Sequence, residues 1–205
     1  MRSGKEVTDK MKDSTETMRR FMLSCGVQKG IVYLLFSVFP DNTFEENLPV
    51  FREAVRQPSK MRKQIHEIGV QLGLGVTSHI MITAREFLPL SNFGLFTRDY
   101  IRRCCDLVEQ ITKRLLAPKF GITLEHKPLG SVIEALRKTP KRGDQLVPKS
   151  LVHNLSLFNK VVYCPAKHDV LEKEEEHMYS VADAVAVTFI SLKLCQRIHD
   201  LVGTK

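Results

Sequence analysis

The chain has 205 residues, of which 43% are hydrophobic and 26% charged, with no tryptophan. This suits one domain with a sizeable core, or a domain plus an N-terminal extension, and excludes a chain too polar to collapse. Thirty-one Lys and Arg outnumber 23 Asp and Glu, a formal net charge of +8, which favours an anionic partner, nucleic acid ahead of a membrane surface.

Residues 1–15 are polar, and Met1 to Glu16 lacks the apolar core of a signal peptide. A helical pattern starts near Ser14, passes through Met18, Phe21, Met22 and Cys25, and continues through Ile31 to Phe39, with Gly26 and Gly30 weakening its middle. The Ile31 to Phe39 run is nine residues long, too short to span a bilayer. Pro40-Asp41-Asn42 stops the pattern. Thr43 is placed to cap a short helix, a second runs from about Pro49 to Arg56, and Pro58 ends it. Ser59 opens a longer segment with Ile65, Ile68, Leu72, Val76 and Ile80 near one face. Its Gly69, Gly73 and Gly75 permit close packing or mark a kink.

From Thr97 or Arg98 to Leu116, the residues Ile101, Cys104, Cys105, Val108, Ile111 and Leu115 form one apolar stripe. Arg102, Arg103, Asp106, Glu109, Lys113 and Arg114 lie mostly off it, and Pro118 ends the helix. Leu129 to Lys138 is shorter. A basic, turn-rich loop follows, Lys138 to Asp144. Pro148 suits the first position of the next helix, which places Leu151, Leu155, Phe158 and Val162 in one sector and Lys149, His153, Ser156 and Lys160 on the opposite face. Asn159 falls at the edge of the apolar sector. Pro165 is expected to break this helix. Glu172 to Glu176 is a solvated charge run. Ser180 then has the look of an N-cap with Asp183 at the capping-box position, and Val181 to Cys195 is apolar nearly all round. The fold class is therefore all-α, a multi-helix bundle with a central apolar C-terminal helix. Residues 1–58 read as an N-terminal helical extension and 59–205 as the bundle proper.

Five cysteines, at 25, 104, 105, 164 and 195, lack paired spacing. They read as reduced thiols in a cytoplasmic protein. Cys164, His168, Glu176 and His177 do not have the close spacing of a structural zinc site, so no metal and no other cofactor is expected. No nucleophile motif of the GxSxG type occurs.

The densest group of chemically capable side chains is Asn159, Lys160, Lys167, His168 and Asp169. A histidine in a polar inter-helix loop exchanges protons near neutral pH, a neighbouring Asp or Asn orients it, and lysines hold phosphate. Metal-free RNA cleavage needs little more. The same residues also make a helix end and a structural tie, with His168 bonded to a backbone carbonyl. Basic clusters recur at Arg19-Arg20, Lys60 to Lys63, Arg102-Arg103, Lys113-Arg114 and Arg137 to Arg142. If they converge they track a phosphate backbone; otherwise each is the wet side of its own helix. No interleaved aromatics offer a stacking platform.

Leu157-Phe158-Asn159-Lys160, then Tyr163-Cys164-Pro165-Ala166-Lys167-His168-Asp169, then His177 and the apolar closing helix, resemble the C-terminal half of a HEPN-type helical domain. The resemblance covers roughly residues 95–203. It implies an RNA-directed helical bundle: a metal-independent ribonuclease of toxin or defence type, or an inactive RNA-binding relative. On that resemblance His168 would be the general acid/base, Lys160 and Lys167 would hold phosphate, and Asn159 and Asp169 would position the histidine. Lys167, Arg137, Lys138, Lys141 and Arg142 would contact RNA, and a homodimer would pair two motifs. The family's signature is an Arg and a His with four to six residues between them; here the nearest upstream cation in the helix is Lys160, with seven residues between. The alternative is a non-catalytic helical protein-interaction module. A weaker alternative sets Ile31 to Phe39 on a membrane surface.

Overall fold

The computed structural model describes residues 15–39, 44–58, 61–71, 81, 97–123, 126–138, 147–167 and 179–203. Thr43, Leu72, Gly73, Gly75, Val76, Ile80, the 139–146 loop with Lys141 and Arg142, and residues 168–178 with His168, Asp169, the acidic run and His177 lie outside them. Eight helices pack against one another among the described residues, with no strand. They are α1 (residues 15–24), α2 (Lys29–Val38), α3 (Leu48–Arg56), α4 (Met61–Gln71), α5 (Thr97–Ile111), α6 (Leu129–Lys138), α7 (Lys149–Phe158) and α8 (Val181–Gly203).

The single helix expected from Ser14 to Phe39 is two. Gly26, at φ +87°, sits in the left-handed region that favours glycine. Around it the Gly26 N–H donates to the Leu23 carbonyl (3.0 Å) and the Val27 N–H to Met22 (3.1 Å). This paired pattern closes a helix C-terminus by satisfying carbonyls that have no helical partner. Ile31 to Val38 is helical, and Ile31, Leu34, Leu35 and Val38 are fully buried. In α4, Gly69 makes room for Met81: a Cβ there would meet the Met81 sulfur at 2.6 Å.

The last helix is central, as its sequence demands. Every residue from Ala182 to Leu192 is buried. It packs on α5 and α2 most extensively, and also on α3 and α7. Phe39, Phe44, Phe51 and Phe189 make an edge-to-face knot, with Phe44 and Phe189 ring centres 5.1 Å apart. One buried core runs from Met18 to Ile198.

Two prolines do not act as the sequence suggests. α5 runs on through a wide turn, Thr112–Leu116, into Ala117–Lys119, so Pro118 lies inside the last turn. α7 runs on through Asn159–Tyr163 into Cys164–Lys167, so Pro165 does not break it. In each wide turn the residue before proline donates five positions back, Ala117 to Thr112 and Cys164 to Asn159. The π-type turn shifts the hydrogen-bond ladder just where proline has no N–H to give and where its ring would otherwise press on the preceding turn. Pro148 flanks α7 rather than opening it, and its carbonyl accepts the first bonds, from Leu151 (2.9 Å) and Val152 (3.1 Å).

Candidate functional site

The end of α7 is fastened to α5. Tyr163 donates to Glu109 at 2.8 Å, and Lys113 pairs with the other Glu109 oxygen at 2.7 Å. Glu109 was expected off the apolar stripe of α5, yet it is only 9% exposed. Burying a carboxylate is tolerable because a cation one turn away and a phenol both answer it. Burial, and then the bond to Glu109, pushes the Tyr163 phenol above its ordinary value, so it keeps its proton and stays a donor. Beyond Tyr163, the Arg102 Nε donates to the Ala166 carbonyl (2.7 Å), and Lys167 pairs with Asp106.

The wide turn sets Asn159 and Lys160 apart from that seam. Asn159 is half-buried, as its place at the edge of the apolar sector suggests, with its amide facing Gly130 at the start of α6. Lys160 is exposed. The described members of the sequence cluster thus occupy separate surroundings: Lys167 on α5, Asn159 against α6, Lys160 in solvent. His168 and Asp169 follow directly on the anchored last turn, outside the described residues.

A different set of side chains shares one face. α7 is clamped on three sides. Asn154, buried, accepts from the Ser37 hydroxyl (2.7 Å) and donates to the Ser37 carbonyl (3.1 Å), holding α2. Ser156 accepts from Arg137 of α6 (2.9 Å). Ser150 accepts from Arg197 of α8 (2.9 Å). What remains outward is Lys149, His153 and Lys160, all exposed. Arg137 therefore borders this lysine face on one side and Arg197 on the other. No Asp or Glu occurs from residue 147 to 167. Among the described acids, Glu134 on α6 pairs with Arg137 (3.0 Å) and Lys138 (3.3 Å). Lys149 and Lys160 are eleven positions apart, or about 16 Å along a helix axis.

Of the predicted nucleic-acid contacts, Arg137 borders this face, Lys138 is exposed and pairs with Glu134 on its own helix, and Lys167 does not share the face through any described bond. Sequence reading placed Lys149 and His153 on the polar side of α7 without assigning them a role, and missed Arg197. The absence of acids through α7 was the available signal; the serines that bring Arg137 and Arg197 beside it were not readable as such. Among the described residues, no three metal-ligating side chains gather and no helix is long and apolar enough to cross a membrane.

No family model, no curated protein and no solved structure matches the chain.

Proposed function

We propose that this is a cytoplasmic, RNA-directed helical protein that holds RNA by its phosphate backbone on the exposed face of α7, in keeping with the HEPN-type resemblance. The observation that carries the reading is the acid-free lysine face of α7 with Arg137 and Arg197 on its two flanks. Its cations are presented by helices whose positions are fixed by buried contacts, so little order is lost on binding. The face has no base-reading geometry, and the expected recognition is by charge and shape rather than sequence. Binding is favoured over cleavage because Lys167 is engaged by Asp106 and Asn159 is packed against Gly130.

The test is fluorescence anisotropy with end-labelled RNA across a salt series. Each phosphate contact contributes about 0.7–0.9 to the slope of log affinity against log salt. Lys149→Glu with Lys160→Glu should weaken binding at least tenfold and flatten that slope by about two. Equal affinity in this variant, or no binding at low salt, would sink the reading. The same RNA recovered from a chelator-containing mixture tests for cleavage: shortening that His168→Ala abolishes would extend the proposal to a metal-independent ribonuclease. Light scattering with and without RNA tests the homodimer that the resemblance implies.

A further inference from the structure

A second surface carries its own geometry. Between α1 and α3 lies an open groove of about 290 Å³, lined by Phe21, Cys25, Arg52, Val55 and Arg56. Its floor is apolar: Phe21 on α1 and Cys25 just past its end stand one turn apart, and Val55 faces them from α3. Its rim is cationic, because Arg52 and Arg56 also stand one turn apart on α3 and both are exposed. Among the described residues no carboxylate lines it; Glu53, the acid of α3, lies outside the lining.

The Arg52 guanidinium carbon sits 4.6 Å from the centre of the Phe21 ring. A guanidinium resting on an aromatic face spends its face on the ring and keeps its edge donors for an acceptor in its own plane. That is the fork that receives a carboxylate on two oxygens, and stacking reduces the freedom lost when it does so. Arg56 offers a second cation one helical turn further on. Each wall of the groove repeats at helical spacing, and the groove is open rather than enclosed. Such a shape takes one turn of a neighbouring helix, with a single side chain seated on the floor, better than it surrounds a small molecule.

We infer that the α1–α3 groove is a docking site for an acidic amphipathic helix of a partner protein, with one apolar anchor over Phe21, Cys25 and Val55 and carboxylates on Arg52 and Arg56. Charge complementarity selects this occupant: an apolar floor alone would accept any greasy segment, whereas the two arginines repel a basic one and reward carboxylates placed a turn apart. RNA meets only half of the site, since it has no aliphatic anchor for the floor. The assignment is independent of the α7 face.

A display library of random sixteen-residue peptides, selected on the purified full chain, tests it. The expected enrichment is an aromatic or leucine residue with Asp or Glu three or four positions away. A labelled synthetic peptide of that sequence should bind in anisotropy, and Arg52→Glu with Arg56→Glu should weaken it at least tenfold while circular dichroism stays unchanged. Because both arginines are exposed, this variant should fold. RNA affinity should remain within twofold in the same variant. Enriched peptides without acids, peptides that bind the double variant equally well, or no enrichment over it would each overturn the proposal. So would a peptide-insensitive variant that instead loses RNA, which would make the two arginines part of a nucleic-acid surface.

Discussion

Glu109→Ala is the most informative single change. The side chains of Glu109 and Lys113 are 12% and 13% exposed, so their pair is largely withdrawn from water. Removing the carboxylate leaves the Lys113 ammonium buried without its partner, which costs about 3–5 kcal/mol for a fully buried pair and about 3 here. It also strips the Tyr163 hydroxyl of its acceptor, roughly 1 kcal/mol more. The expected loss is therefore about 3–4 kcal/mol, a large part of a typical domain's stability. Tyr163→Phe should cost only about 1 kcal/mol, because Glu109 keeps Lys113. Replacing Glu109 and Lys113 together by methionine should recover most of the loss, since an apolar pair needs no desolvation to be compensated. Urea denaturation of the four proteins, with unchanged slopes, gives these values. A Glu109→Ala protein within 1 kcal/mol of the parent would refute the reasoning. A double-methionine protein no better than Glu109→Ala would refute it as well. In that case the fastening of the α7 end to α5 rests on packing alone.

Asp183 offers a second stability test. Its carboxylate accepts from the backbone N–H groups of Gln28 (2.7 Å) and Ser180 (2.8 Å), and the Ser180 hydroxyl receives the Asp183 N–H in return (3.0 Å). Asp183→Ala removes a capping box and orphans donors in both segments, so a loss of about 2–4 kcal/mol is expected in a urea titration. A change below 0.5 kcal/mol would show that water replaces the carboxylate. The thiols give a chemical test. Cys104, Cys105 and Cys195 are buried, and burial pushes the Cys104 thiol up to about 12. At pH 8 a thiol reagent should label Cys25 and Cys164 quickly and the other three only on unfolding. Rapid modification of all five in native buffer would contradict the packing of α5 on α8.

Helix content, the apolar stripe of α5, the buried sector of α7 and the all-round apolarity of α8 were legible in sequence because each is a periodic pattern within one element. The Ser180 to Asp183 capping box was legible for the same reason, its two members being three positions apart. What it does in the fold was not: Asp183 also ties α8 to Gln28, 155 positions away. Sequence reading gave Asp183 a local capping role, and tertiary structure buried it. Glu109 shows the same lesson, since its partner Tyr163 lies 54 positions on. Local rules stop a helix at proline, yet the wide turns before Pro118 and Pro165 let tertiary packing carry both helices further. The candidate site divides in the same way. That α7 has a lysine face follows from its own residues. That Arg137 and Arg197 flank it depends on Ser156 and Ser150 meeting side chains from α6 and α8, which only the packed structure decides. Periodicity reports which side of a helix avoids water; it carries no information about which distant polar group will answer a buried one.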